Sequence, residues 1–166
     1  MTRTITVGLM VVAAATAAIS WRAATALELK QIIPARAPVE KERIETEFRT
    51  ASAITEGNGK YVYGVVLITA GYAAEGKYSN YFVTQVPMKV GDLSLDPGQY
   101  VFGWRRKDDD NLTVKFYVAE SGRLLGDVEA HRVNRVGPID SFRIVPPSEK
   151  PVIRIGRFGM SYSLSE

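Results

Sequence analysis

Tyr100, Phe102 and Trp104 stand at every second position of a stretch that opens with Leu95-Asp96-Pro97-Gly98. A period of two puts all three rings on one face of a β-strand. The Asp-Pro-Gly segment ahead of them is a turn signal. Proline pre-sets φ at the second position of a type II turn, and glycine accepts the positive φ needed at the third. The pattern therefore predicts a left-handed Gly98 and a strand from Gln99 to Arg106. Leu112 to Ala119 and Leu124 to Ala130 carry the same alternation, so the three segments read as a meander.

Loop lengths set the register of that meander. Lys107 to Asn111 is a hairpin loop that places Arg106 opposite Leu112, Trp104 opposite Val114, Phe102 opposite Phe116 and Tyr100 opposite Val118. A slip of one residue would set this apolar face against polar alternates. A second loop, Glu120-Ser121-Gly122, places Val118 opposite Leu124 and lets Lys115 meet Asp127 on the other face. That outer face then carries Tyr117, Val101, Lys115 and Arg105, the surface expected to meet a partner.

The rest of the chain has the same character. Leu27 to Ile33 reads as a short strand stopped by Pro34. Glu40 to Ile54 alternates Ile44, Thr46 and Phe48 with Glu45, Glu47 and Arg49, which favours strand over helix. After the Gly57-Asn58-Gly59 turn, Lys60 to Thr69 is apolar on both faces, as a central strand would be. Tyr78 to Val86, Leu93 to Leu95, Ile139 to Val145, Val152 to Ile155 and Phe158 to Leu164 complete the set. The pattern predicts an all-β chain of about eight to ten short strands: an antiparallel β-sandwich, Ig-like or transthyretin-like, or a partly open barrel. The Leu95-x-Pro97-Gly98-x-Tyr100 turn resembles turns in extracytoplasmic β-sandwich modules such as transthyretin-like and PEGA-type domains. The resemblance implies no active-site residue.

The first residues read as an address. Arg3 precedes an uncharged apolar run from Ile5 to Ile19, and Ala24-Thr25-Ala26 fits the small-x-small pattern of a secretory cleavage site. This predicts a signal-peptide helix within residues 1–26, cleavage after Ala26, and one domain over 27–166, periplasmic or extracellular, with no membrane span after cleavage. The alternative is an uncleaved N-terminal membrane anchor. Removing Arg3 and Arg22 from 21 basic residues leaves 19 against 18 acidic ones, a charge of +1. No nucleic-acid partner is expected from so even a balance. With no cysteine, the chain has no disulfide, thiolate metal site or cysteine nucleophile.

Few residues carry a chemical suggestion. Asp108, Asp109 and Asp110 form the densest set of hard oxygen donors and are a candidate Ca²⁺ site, although the glycine and distal glutamate of an EF-hand loop are missing. A solvated hairpin tip explains the same residues. No other cofactor is expected. Asn111-Leu112-Thr113 is a glycosylation acceptor pattern. His131, the single histidine, has no nucleophile motif around it. The expectation is an exported, non-catalytic binding module for a protein or glycan partner of the cell envelope, or for another copy of itself. Two alternatives stand beside it: a small exported hydrolase using carboxylates or His131, and a structural subunit joined through sheet edges.

Overall fold

A computed structural model describes residues 20–165. The apolar run from Ile5 to Ile19, with the expected leader helix, lies outside the described residues. The elements are β1 (Arg22–Ala23), α1 (Ala26–Ile32), β2 (Arg36–Val39), β3 (Glu42–Thr55), β4 (Tyr61–Leu67), β5 (Asn80–Thr84) and β6 (Met88–Val90). They continue with β7 (Leu93–Leu95), β8 (Gly98–Arg106), β9 (Asn111–Val118), β10 (Leu124–Arg132), β11 (Phe142–Val145), β12 (Val152–Ile155) and β13 (Phe158–Leu164). The chain is nearly all β. No described helix is long and apolar enough to cross a membrane.

The sheet runs in one continuous order, β1-β3-β4-β5-β8-β9-β10-β13-β12-β11, and curls into a nearly closed barrel. Its last strand returns to the first long one. The Ile144 amide on β11 donates to Ser52 Oγ on β3 at 2.9 Å. The Phe142 ring meanwhile lies so close over Gly64 that a Cβ there would be 2.7 Å from it. Of the two expected architectures, the chain follows the barrel-like one. Hairpin-to-hairpin pairing leaves no break at which the strands would divide into two facing sheets.

Alternation decides what goes inside. Even-numbered residues of β4, β5, β8, β9, β11 and β13, and of β10 beyond its irregularity at Leu124–Gly126, point inward. There Phe82, Phe102, Phe116 and Phe142 form a cluster with ring centroids 5.1 Å apart for Phe102–Phe116 and 6.1 Å for Phe102–Phe142. The β6–β7 hairpin buries Met88, Val90 and Leu95 in the same core and plugs the end near Tyr162. A second apolar layer lies outside the barrel. α1, β2 and the segment before β5 cover the outward residues Val65, Tyr81, Val83 and Val101 with Ile33, Val39, Ala74 and Tyr78. This layer is why β4 is apolar on both faces.

The expected register of β8 and β9 holds throughout: Arg106 faces Leu112, Trp104 faces Val114, Phe102 faces Phe116 and Tyr100 faces Val118. Lys115 faces Asp127 and Val114 faces Val128, as expected. Near the turn the pairing differs. Leu124 lies opposite Tyr117, not Val118, and an irregularity between Leu124 and Gly126 absorbs the extra residue. Gly122 is left-handed, with φ 69°, and its amide donates to the Val118 carbonyl.

Two expectations need correction. Leu27 to Ile32 is helical and Ile33 is its C-cap, because Thr25 and Glu28 form a reciprocal capping box that starts α1. At the start of the described chain Arg22 pairs with Thr55, Ala23 pairs with Ile54, and Trp21 packs on the barrel core. Gly98 is not left-handed. It is the first residue of β8, paired with Thr84, and the Tyr100 hydroxyl donates to the Asp96 carbonyl at 2.6 Å to close the bend instead. A Cβ at Gly98 would meet nothing nearer than the Tyr100 hydroxyl oxygen at 3.4 Å, an ordinary contact. Gly98→Val should therefore change stability by no more than about 0.5 kcal/mol, since valine suits a strand. A thermal melt within about 2 °C of the parent is the expected result.

Candidate functional site: the open end of the barrel

The inward alternation continues past the packed core. On β8, Tyr100 and Phe102 are followed by Trp104 and Arg106. On β10, Val128 and Ala130 are followed by Arg132. Two arginines thus occupy inward positions at the end opposite the β6–β7 plug. Cross-strand pairs Val66–Asn80, Arg106–Leu112 and Arg132–Phe158 ring that end. Between them lies a cavity of about 670 Å³. Leu112, Ile155 and Phe158 give it an apolar floor, and Trp104, 46% exposed, stands at its rim.

Both guanidiniums lie over the Phe158 ring, Arg106 at 5.8 Å and Arg132 at 5.6 Å from its centroid. The cation–ring contact keeps both arginines in the cavity lining, while their heads also reach the β8–β9 loop, Arg106 at Asp109 and Arg132 at Asp110. Arg132 is fixed further from the β8–β9 loop: its Nε and Nη2 donate to the Asp109 carbonyl at 3.0 and 2.6 Å, and Nε lies 3.2 Å from Asp110 Oδ1. Arg157 is the third cation of the lining, which contains no carboxylate.

Asn80 completes the site. Its side chain is 2% exposed. Its Oδ1 accepts from Ser79 Oγ at 2.8 Å, whereas Nδ2 has no protein partner. Thr55 and Thr84 are satisfied by the Lys60 and Val86 carbonyls, whereas the Tyr78 hydroxyl and Arg154 Nε, both away from this cavity's lining, are also without a partner. A buried amide donor left unpaired costs about 1–3 kcal/mol. At the base of a cavity it is a donor waiting for an acceptor.

The aspartates expected to gather around Ca²⁺ are used separately. Asp108 accepts from Asn111 Nδ2 at 2.9 and 3.0 Å and from the Asp110 amide at 2.8 Å. The Asn111 contact and then the backbone bond hold its carboxyl below the usual range. Asp109 lies 3.5 Å from Arg106, and Asp110 turns to Arg132. Among the described residues no group of three or more acidic or histidine side chains converges as a metal site. Asn111 is tied down as well, since Oδ1 lies 2.7 Å from His131 Nδ1. His131 is 66% exposed, with Glu129 as its acidic neighbour at 3.6 Å.

The expected partner surface is divided. Val101 is fully buried, because the outer layer covers that half of the face. Tyr117 is half-buried, edge-on to Tyr78 at 5.2 Å. Arg105, Lys115 and Tyr117 line an outer groove of about 870 Å³ together with Lys77, Glu75 and Asp127. Its charges are mixed, and Lys115 already faces Asp127 at 3.9 Å. Asn80, Arg106, Arg132 and Phe158 were not singled out from the sequence. One signal was present: the expected register put Arg106 on the apolar inward face, where a charge has no structural use. Comparison with family models, with curated proteins and with solved structures finds no match.

Proposed function

We propose that this chain is a non-catalytic binding protein whose open barrel end takes a small anion with an apolar body, such as an amphipathic carboxylate, sulfate or phosphate. The observation that carries this reading is the pair of inward arginines over Phe158, above an apolar floor and without an acidic residue in the lining. The apolar wall would take up the ligand's body. The arginines favour a planar or tetrahedral oxyanion, which they can meet through charge-assisted hydrogen bonds. The unpaired Asn80 amide adds a donor at the base. The leader pattern before Ala26 supports an exported address, periplasmic or extracellular, where such a ligand would be met. The sandwich-like reading of the strand pattern survives only as the two-layered packing of the barrel's covered side.

Calorimetric titration tests the proposal. Dodecanoate and dodecyl phosphate should bind with one site, and dodecyltrimethylammonium should not. Inorganic phosphate alone should bind much more weakly, because it lacks the apolar body. Arg132→Glu should weaken dodecanoate binding by roughly tenfold or more, the cost of replacing a charge-assisted contact with a repulsion. Equal binding of the cationic and anionic amphiphiles, or no binding of either anion, would remove the proposal.

A further inference from the structure

The segment from Trp21 to Ala26 makes more contacts with the barrel than a disposable leader would. Trp21 packs on the core cluster that contains Ile54 and Val62. Arg22 and Ala23 extend the sheet beside Thr55 and Ile54, and the Ala24 amide donates to the Ala53 carbonyl at 2.9 Å. Thr25 is the N-cap of α1: its hydroxyl accepts from the Glu28 amide at 3.2 Å, and the Glu28 carboxylate accepts from the Thr25 amide at 2.7 Å. The same carboxylate receives a two-pronged bond from Arg22, at 2.9 and 2.8 Å. The small-x-small motif Ala24-Thr25-Ala26 therefore coincides with a strand end, a helix cap and the first helical residue.

Scission after Ala26 would remove all of these at once. It would leave Ile54, fully buried here, beside a bare sheet edge. It would also strip α1 of its N-cap and leave Glu28 without its arginine.

We propose that Ala26 is not the processing site, and that the mature chain keeps the strap from Trp21 to Glu28, with its N-terminus upstream of Trp21. Ala24-Thr25-Ala26 imitates a cleavage motif because a residue after a strand end, an N-cap and a first helical position are each met by a small residue. The place of Trp21 follows from the register. Arg22 pairs with Thr55, which pairs with Tyr61, while Val62 pairs with Thr84 and Thr84 with Gly98. These residues lie at the plugged end of the barrel. Trp21 therefore lies at the end opposite the arginine cavity, about 26 Å away along the length of β8.

Intact-mass measurement of the full-length chain, expressed in a host that exports it, tests the proposal together with the variant Ala26→Glu. Glutamate cannot serve as the small residue before a scissile bond. It is also well placed in the first turn of an exposed helix, so the variant keeps its fold. The parent protein should begin at or before Ser20. The variant should give the same N-terminus, its mass changed only by the substitution. A parent chain beginning at Leu27, or a variant that accumulates as a longer species than the parent, would overturn the proposal.

Discussion

Gly103→Val should lower the thermal midpoint by roughly 10 °C, the equivalent of about 3 kcal/mol for a domain of this size. Gly103 sits outward on β8 between the inward Phe102 and Trp104. The backbone of Lys77 crosses directly over it, so a Cβ would fall well inside contact distance of the Lys77 carbonyl oxygen. A side chain can swing away from such a clash, but this carbonyl cannot. The segment is held by the Lys77 and Tyr78 amides, both donating to the Ala74 carbonyl, and by the Ser79 amide, donating to the Phe102 carbonyl at 2.8 Å. Valine must push the segment off the sheet, and Ala74 and Tyr78, both buried, would lose their seats in the outer layer. The contrast with Gly98→Val on the same strand is the control. A melt of Gly103→Val as close to the parent as that of Gly98→Val would show that the segment yields freely.

Phe102→Ala should cost about 3–5 kcal/mol, the range for deleting a buried phenylalanine. Phe102 is fully buried and touches the rings of Phe82, Phe116 and Phe142, which come from three other strands. Its loss removes contacts from β5, β9 and β11 together, and neighbours on separate strands cannot collapse into the space as one flexible side chain would. Urea unfolding should show a lower midpoint with an unchanged slope, since the same surface is still exposed on unfolding. A cost below about 1 kcal/mol would mean that the ring cluster is not the centre of the barrel.

The legible part of the fold was the local part. Strict alternation and two loop lengths were enough to pair β8 with β9, because a slip would have inverted every side chain. The two-faced apolar pattern of β4 already implied cover on both sides. Closure of the barrel was not legible, because it rests on Gly64 accepting Phe142 from a strand far along the chain, and no periodicity encodes that contact. Gly98 misled for a physical reason: the Tyr100 hydroxyl bonds back to the Asp96 carbonyl and makes the bend without a left-handed residue. At α1 the apolar alternation outweighed a capping signature that was there to be read, Thr25 followed three residues later by Glu28.

The site was legible only in part. Asp108 to Asp110 drew attention as donors for a metal, whereas two of them hold the arginines that line the cavity. Arg106 does not stand out in the sequence because it is flanked by Arg105 and Lys107. Parity separates them: Arg105 faces the outer groove and Arg106 the barrel end. Asn80 could not be recognised from sequence, since its unpaired amide is a property of the packed structure alone.

An anionic amphiphile should lodge at the open end of the barrel, between Asn80, Arg106 and Arg132. Titrating ¹⁵N-labelled protein with dodecanoate and following the side-chain N–H signals of the cavity residues and the backbone amides of the groove residues tests this directly. The predicted result is movement of the Asn80 side-chain amide, the Trp104 indole N–H and the Arg106 and Arg132 Nε–H signals, with Lys77, Lys115 and Tyr117 unmoved. Movement confined to the Lys77, Lys115 and Tyr117 groove, with Asn80 and Arg132 silent, would contradict it.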